Sequence, residues 1–201
     1  STAGTITAVN TTFYGNTAGQ YGGGIRLAGG TVDFDNITVT GNYAGDDLGG
    51  IAAVVGVTGT IDNSIILGNS ALGIFYEGLA SDITFGQNNI VGSGSRGEDL
   101  EVLSTAVDTF ASTVTLNGQA AGVLADNGGS VETVLILSGG DADDAGDSSD
   151  LPVDTADVDD DGDTGETLPE DARGSNRVEG DNVDIGAGLV DTSNFGAEFG
   201  E

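Results

Sequence analysis

Between Asp141 and Asp163 the chain carries 11 Asp and no basic residue, and the densest stretch, D-V-D-D-D-G-D from Asp157 to Asp163, alternates carboxylates around a glycine. Carboxylate oxygens are hard ligands. At alternate positions of a tight loop they can converge on one hard cation, with Gly162 letting the backbone reverse between them. Asp157, Asp159, Asp161 and Asp163 are therefore the candidate metal ligands. Calcium is the expected cation, and Asp163 is expected to contribute through its backbone carbonyl. The twelfth position counted from Asp157 is Leu168, which has no carboxylate to close the loop, so Glu166 or Glu170 must substitute. The competing reading is a solvated acidic loop of a protein adapted to salt, where excess Asp keeps the surface hydrated.

The rest of the composition removes most other chemistry. There are 33 acidic residues against 4 basic ones, a formal net charge of −29, and no Cys, His, Met or Trp; all four bases are Arg. Disulfides, thiol and imidazole catalysis, His/Cys zinc sites and Schiff-base lysines are thereby excluded. Nucleic acid is not an expected partner, because no basic stripe could displace counterions from phosphates. No apolar run approaches the roughly 18 residues needed to cross a bilayer, so no membrane insertion is expected. Ser1 opens no basic region followed by an apolar one, so a mature protein or an excised fragment is expected. Charge is uneven: residues 1–100 hold 9 acids and 2 Arg, and residues 101–201 hold 24 acids and 2 Arg.

Loops need a scaffold, and the first half of the chain supplies a repeating one. The segments from Asn10 (NTTFYGN), Asn36 (NITVTGN) and Asn63 (NSIILGN) share N-x-x-[apolar]-x-G-N, and a weaker copy is read from Asn89. A second element, Gly-Gly before Ile25 and Ile51 and a single Gly before Ile74, keeps step with it. Between them lie β-branched alternating runs such as T-V-D-F-D from Thr31, with no helical periodicity. A unit of about 26 residues made of short strands and Gly/Asn turns cannot bury its apolar face alone and must stack on its copies. The spacing predicts parallel stacking, with Ile25, Ile51 and Ile74 in one internal column and Phe13, Val39 and Ile66 in another. Asn10, Asn36, Asn63 and Asn89 are expected to lie above one another and bond through their amides.

The pairing of F-x-x-N (Phe13 to Asn16) with G-G-x-[IV] before Ile25 resembles the short repeats of polymorphic outer-membrane proteins and other secreted right-handed parallel β-helix proteins. Downstream, L-A-D-N-G-G from Leu124, D-A-R-G-S-N-R from Asp171 and D-I-G-A from Asp184 resemble the C-terminal segment of bacterial surface β-helix proteins that carry variable anchors. Asp141-Ala142-Asp143 replaces that family's Pro-Ala-Ile, and Gly188-Leu189 replaces its aromatic-acidic ending. The acidic run also resembles shortened EF-hand-type loops of dockerin-like or thrombospondin-type repeats. Asp126-Asn127-Gly128-Gly129 is first a turn signal. The resemblance implies an all-β right-handed parallel β-helix (β-solenoid) over residues 1–120, followed by an acidic, calcium-binding segment over 121–201.

Enzymes of that shape exist, so catalysis has to be weighed. A lyase would need a base such as Arg26 or Arg96 beside calcium-binding carboxylates, and neither lies in a catalytic motif. Asp33 and Asp35 are a carboxylate pair on one strand face, and only Asp62 repeats them. A glycosidase would need one such acid held protonated by burial. Tyr14, Tyr21, Tyr43 and Tyr76 could stack on sugars, but four Tyr scattered on turns are more often ordinary, partly exposed side chains. The reading is a non-enzymatic, secreted or cell-surface structural or adhesive protein that associates end to end with itself or belongs to a larger adhesin. The alternative is a β-helix that binds or modifies extracellular polysaccharide. Thr5 enters the repeat within a few residues of Ser1, so no N-terminal cap is expected and the first strands should be open for pairing.

Overall fold

A computed structural model describes residues 4–46, 48–53, 56–71, 84–86, 88–92 and 102–188. The β-branched runs form short strands, numbered in chain order, that pair in parallel with their counterparts one repeat on. The first sheet holds β1 (Thr5–Val9), β5 (Gly30–Asp35), β9 (Val57–Asp62) and β12 (Thr84–Phe85) in that order. The second runs from β2 (Thr12–Tyr14) through β6 (Thr38–Thr40), β10 (Ile65–Ile66) and β13 (Ile90–Val91) to β14 (Val102–Leu103). The third joins β3 (Thr17–Ala18), β7 (Tyr43–Ala44) and β11 (Ser70–Ala71), and a further pair joins β4 (Ile25–Leu27) to β8 (Ile51–Ala53).

Both internal columns are present where they can be followed. Phe13 pairs with Val39, Val39 with Ile66 and Ile66 with Val91. Ile25 pairs with Ile51, while Ile74 lies outside the described residues, as do Tyr76, Arg96 and Leu189. Val32, Phe34 and Ile61 from the first sheet, Val39 and Ile66 from the second, and Leu27 and Ile51 from the β4–β8 pair meet in one core. Burying each such side chain stabilises the fold by about 1.5–3 kcal/mol. Glycine before Ile51 is required by backbone approach: a Cβ at Gly49 would lie 2.1 Å from the Ser70 carbonyl oxygen.

The asparagines divide their labour differently from expectation. Asn10, Asn36 and Asn63 take left-handed conformations with φ of 48°, 51° and 45°, which Asn tolerates better than other side chains. The fourth member of this row is Asn88, with φ 60°, and not Asn89, because Ile65 pairs with Ile90. Two adjacent asparagines carry the same turn signal, and only the strand pairing chooses between them. Asn89 instead takes the place of Ser64, accepting from Ser64 N (2.9 Å) and donating to the Ile61 carbonyl (2.7 Å). The amide ladder sits at the second asparagine of the motif. Asn42 Oδ1 accepts from Asn16 Nδ2 (3.1 Å), and Asn42 Nδ2 donates to Asn69 Oδ1 (2.9 Å) and to the Phe13 carbonyl (2.8 Å).

After β14 the chain changes style. A single helical turn, α1 (Ala106–Thr109), leads to the antiparallel pair β15 (Thr113–Leu116) and β16 (Gln119–Gly122), then to β17 (Leu124–Ala125) and β18 (Thr133–Val134). The boundary expected at residue 120 thus falls inside β16. The D-N-G-G sequence makes the β17–β18 turn, with Gly128 N bonded to Asp126 Oδ1 (3.2 Å) and Asn127 Nδ2 to the Thr133 carbonyl (2.7 Å). This later half covers the outer face of the second sheet: Ile65, Leu67 and Ile90 pack with Phe110, Val134, Ile136 and Ile185 in a second core. The D-I-G-A string docks there by Gly186 N to the Asn63 carbonyl (2.8 Å) and Ala187 N to Thr38 Oγ1 (3.0 Å).

Asn42→Ala is expected to cost about 2–4 kcal/mol in urea denaturation, since it orphans buried groups in two neighbouring layers. Asn16→Ala, at the exposed end of the same ladder, should cost much less; equal losses would contradict the ladder.

Candidate metal centre

The acidic run forms a loop closed at its base by a short antiparallel pairing. Val153 bridges Thr167, Asp154 N donates to the Glu166 carbonyl (2.8 Å), and Leu168 N donates to the Pro152 carbonyl (2.9 Å). Leu168 is buried. The twelfth position is therefore an anchor of the loop in the protein, which is why it carries no ligand.

Within the loop the carboxylates fold the backbone around themselves. Asp157 Oδ1 accepts from Gly162 N (3.0 Å), Asp159 Oδ1 from Asp161 N (3.3 Å), Asp161 Oδ1 from Asp163 N (2.7 Å), and Asp163 Oδ1 from Gly165 N (2.9 Å). Positive φ at Asp157 (53°), Asp160 (59°) and Gly162 (89°) reverses the chain repeatedly. The result brings one carboxylate oxygen each of Asp157, Asp159 and Asp161 within 4.8 Å of one another, and does the same for Asp154, Asp159 and Glu166. Asp159 is common to both groups.

Of the residues singled out by spacing, Asp157, Asp159 and Asp161 converge, and Glu166 reaches the site through Asp159. The Asp163 carboxylate belongs to neither group, and the ligand atom expected of this residue is its backbone carbonyl. Glu170, the other substitute considered, lies in a separate bridge with Asn176. Sequence spacing missed Asp154, which is only 1% exposed and accepts from Ala156 N (3.2 Å) and Val158 N (2.9 Å). It reaches Glu166 through the pairing at the loop base, which leaves no local signature.

The donors are all carboxylate oxygens, a set that fits hard divalent cations in general and does not single out calcium. Glu166 Oε1 is buried without a hydrogen-bond partner. Burial, together with Asp161, Asp159, Asp163 and Asp154, holds the Glu166 carboxyl above its usual range. A cation or a proton would relieve it.

A third acidic group, Asp143, Asp144 and Asp184, is knit by its own backbone bonds, Asp144 N to Asp184 Oδ1 (2.8 Å) and Gly139 N to Asp143 Oδ2 (2.6 Å). Beside it Arg177 is fully buried, donating through Nη2 to the carbonyls of Asp184 and Gly186, and burial lowers its pKa to about 10. Arg26 lies exposed on β4, in a different sheet from Asp33 and Asp35, and Arg96 lies outside the described residues. Tyr14 packs into the second core. Comparison with known proteins finds no matching family model, no matching curated protein and no matching solved structure.

In excess chelator, Glu166→Gln is expected to raise the melting temperature, because it removes a charge from among four carboxylates while keeping the side chain's shape. A lower melting temperature under those conditions would mean that the Glu166 charge has a partner in the loop.

Proposed function

We propose that the chain is a non-enzymatic extracellular protein with a structural or adhesive role, built as a right-handed parallel β-helix and joined end to end with further copies or with the remainder of a larger surface protein. The observation that carries this reading is the state of the first repeat: among the described residues, β1, β2, β3 and β4 each lie at the edge of their sheet. Four edges on one layer present rows of backbone donors and acceptors to a neighbour. Apolar side chains accompany them, since Ala8, Phe13 and Ile25 are only partly covered and Ile6 is 50% exposed. The β-helix reading is supported by the in-register pairing of three successive repeats and by the core that the sheets share. The resemblance to secreted β-helix repeat proteins supports the cell-surface setting.

Calcium is proposed as the cation of the Asp154–Glu166 loop, held by Asp154, Asp157, Asp159, Asp161 and Glu166, with its role being to neutralise the loop. A cation bound only by the folded chain stabilises it by RT ln(1 + [L]/Kd). Calcium should raise the melting temperature of the wild type. Asp159→Asn, which touches both groups, should remove that rise, and Asp163→Asn should leave it. A melting curve indifferent to calcium and chelator would leave the salt-adapted surface as the explanation of the run.

Assembly must overcome repulsion between subunits of charge −29. It should therefore strengthen with salt, which shortens the Debye length from about 10 Å at 0.1 M to about 3 Å at 1 M, and with calcium. Sedimentation across a concentration series, in low and high salt with and without calcium, is the test. A monomer under all conditions, or release of unsaturated uronates from a polysaccharide, would replace this reading with that of a polysaccharide-binding or polysaccharide-modifying module.

A further inference from the structure

The first repeat carries a glycine that nothing among the described residues requires. One residue past the Ala18–Ala44 pair, Gly19 and Gly45 hold equivalent places, and Gly45 N donates to the Ala18 carbonyl (3.0 Å). At Gly45 the reason for glycine is a neighbouring backbone, since a Cβ there would lie 2.3 Å from the Gly19 carbonyl oxygen of the preceding layer. At Gly19 a Cβ would meet nothing within 4 Å, the residue is exposed, and its φ is not in the left-handed range. Neither space nor backbone strain excludes a side chain there. What would exclude one is a further layer lying on the first repeat as the first lies on the second.

The direction of that layer is read from the second sheet. The internal column that starts at Phe13 runs through Val39, Ile66 and Val91 and ends, among the described residues, at Leu103. Both ends are incompletely covered, Phe13 being partly buried and Leu103 50% exposed. β2 and β14, which carry them, are the two edges of this sheet, and every pairing between them is parallel. A second copy displaced along the stack therefore brings its β14 beside β2 with the strands parallel and its Leu103 against Phe13. Two first repeats facing each other would instead pair antiparallel and leave both Leu103 side chains uncovered. Residues 1–25 include no Asp, Glu, Lys or Arg in a chain of net charge −29, so the repeat that receives another polyanion is itself uncharged.

We infer, on the basis of the end-to-end association proposed above, that the contact is head to tail: the first repeat of one copy accepts the opposite end of a second copy as a parallel continuation of its sheets, with Gly19 admitting the incoming backbone and Leu103 closing over Phe13. The two surfaces in contact are different ones, so each added copy leaves one free end of each kind. Assembly is therefore open and grows into a polar filament instead of closing as a dimer.

Sedimentation of the full chain and two variants at high salt tests this contact. Gly19→Ala adds one methyl in open space and Leu103→Asp changes a half-exposed side chain, so both should melt as the wild type does at low salt; Leu103→Gln takes the place of Leu103→Asp if the charge lowers the melting temperature. The wild type should form species that grow beyond a dimer as concentration rises. Each variant alone should associate about tenfold or more weakly, because a methyl blocks the backbone approach at one end and a polar group interrupts the column at the other. Mixed in equal amounts where each alone is monomeric, the two variants should form a dimer and stop, since the pair offers one intact head to one intact tail. A wild-type dimer that does not grow, a mixture that stays monomeric, or Gly19→Ala associating like the wild type would overturn the head-to-tail contact and leave end-to-end association standing. A wild-type monomer at every salt and calcium concentration would overturn both.

Discussion

The central strands of the second sheet are buried on both faces, and most of the architecture follows from having to cover both. Along β10 the side chains of Ile65 and Ile66 point to opposite sides; Ile66 enters the core shared by the repeats, and Ile65 the core shared with the later half of the chain. Parallel strands are commonly buried in this way, because an exposed second face of Ile and Val would cost the free energy that burial supplies. The later half therefore has to return over the repeats. Gly186 shows how closely it does so, since a Cβ there would lie 2.7 Å from Ile65 Cδ1.

Docking a highly acidic segment onto an acidic scaffold requires an electrostatic arrangement, and the chain places two of its four arginines there. Arg173 Nε pairs with Asp171 Oδ2 at 2.7 Å, and Arg177 is buried against the carbonyls of the D-I-G-A string. Elsewhere carboxylates are stabilised chiefly by backbone N–H groups, as in the succession of turns from Asp154 to Gly165. Such bonds satisfy one oxygen at a time without cancelling the charge. Where several carboxylates are also driven together by packing, at Glu166 and at Asp35, their affinity for a proton or a cation rises.

The repeat was legible because stacking imposes identity at fixed intervals. Phe13, Val39 and Ile66 announce a column since each must fit the same slot, and glycine precedes Ile51 since the neighbouring backbone leaves no space for a Cβ. Less legible was the division of roles within the repeated N-x-x-x-x-G-N unit. Both asparagines recur with the same period, and only the strand pairing shows that Asn42 bonds to its neighbours in the ladder while Asn63 bonds outward to Asp147. The adjacent pair Asn88-Asn89 was placed one residue out of register for the same reason.

For the candidate metal loop, local order determined which carboxylates alternate around Gly162, and the folded loop decided which of them converge, since the Asp163 carboxylate alternates with the others and joins neither group. Asp154 and Glu166 were brought to Asp159 by the pairing of Val153 with Thr167, a contact between residues that no local spacing rule connects. The same holds for Asp35. Composition along β5 determined that it shares a face with Asp33. Its burial was decided by tertiary packing, because the long-range surroundings, and not the residue's own neighbours in sequence, set the desolvation and the field that a carboxylate experiences.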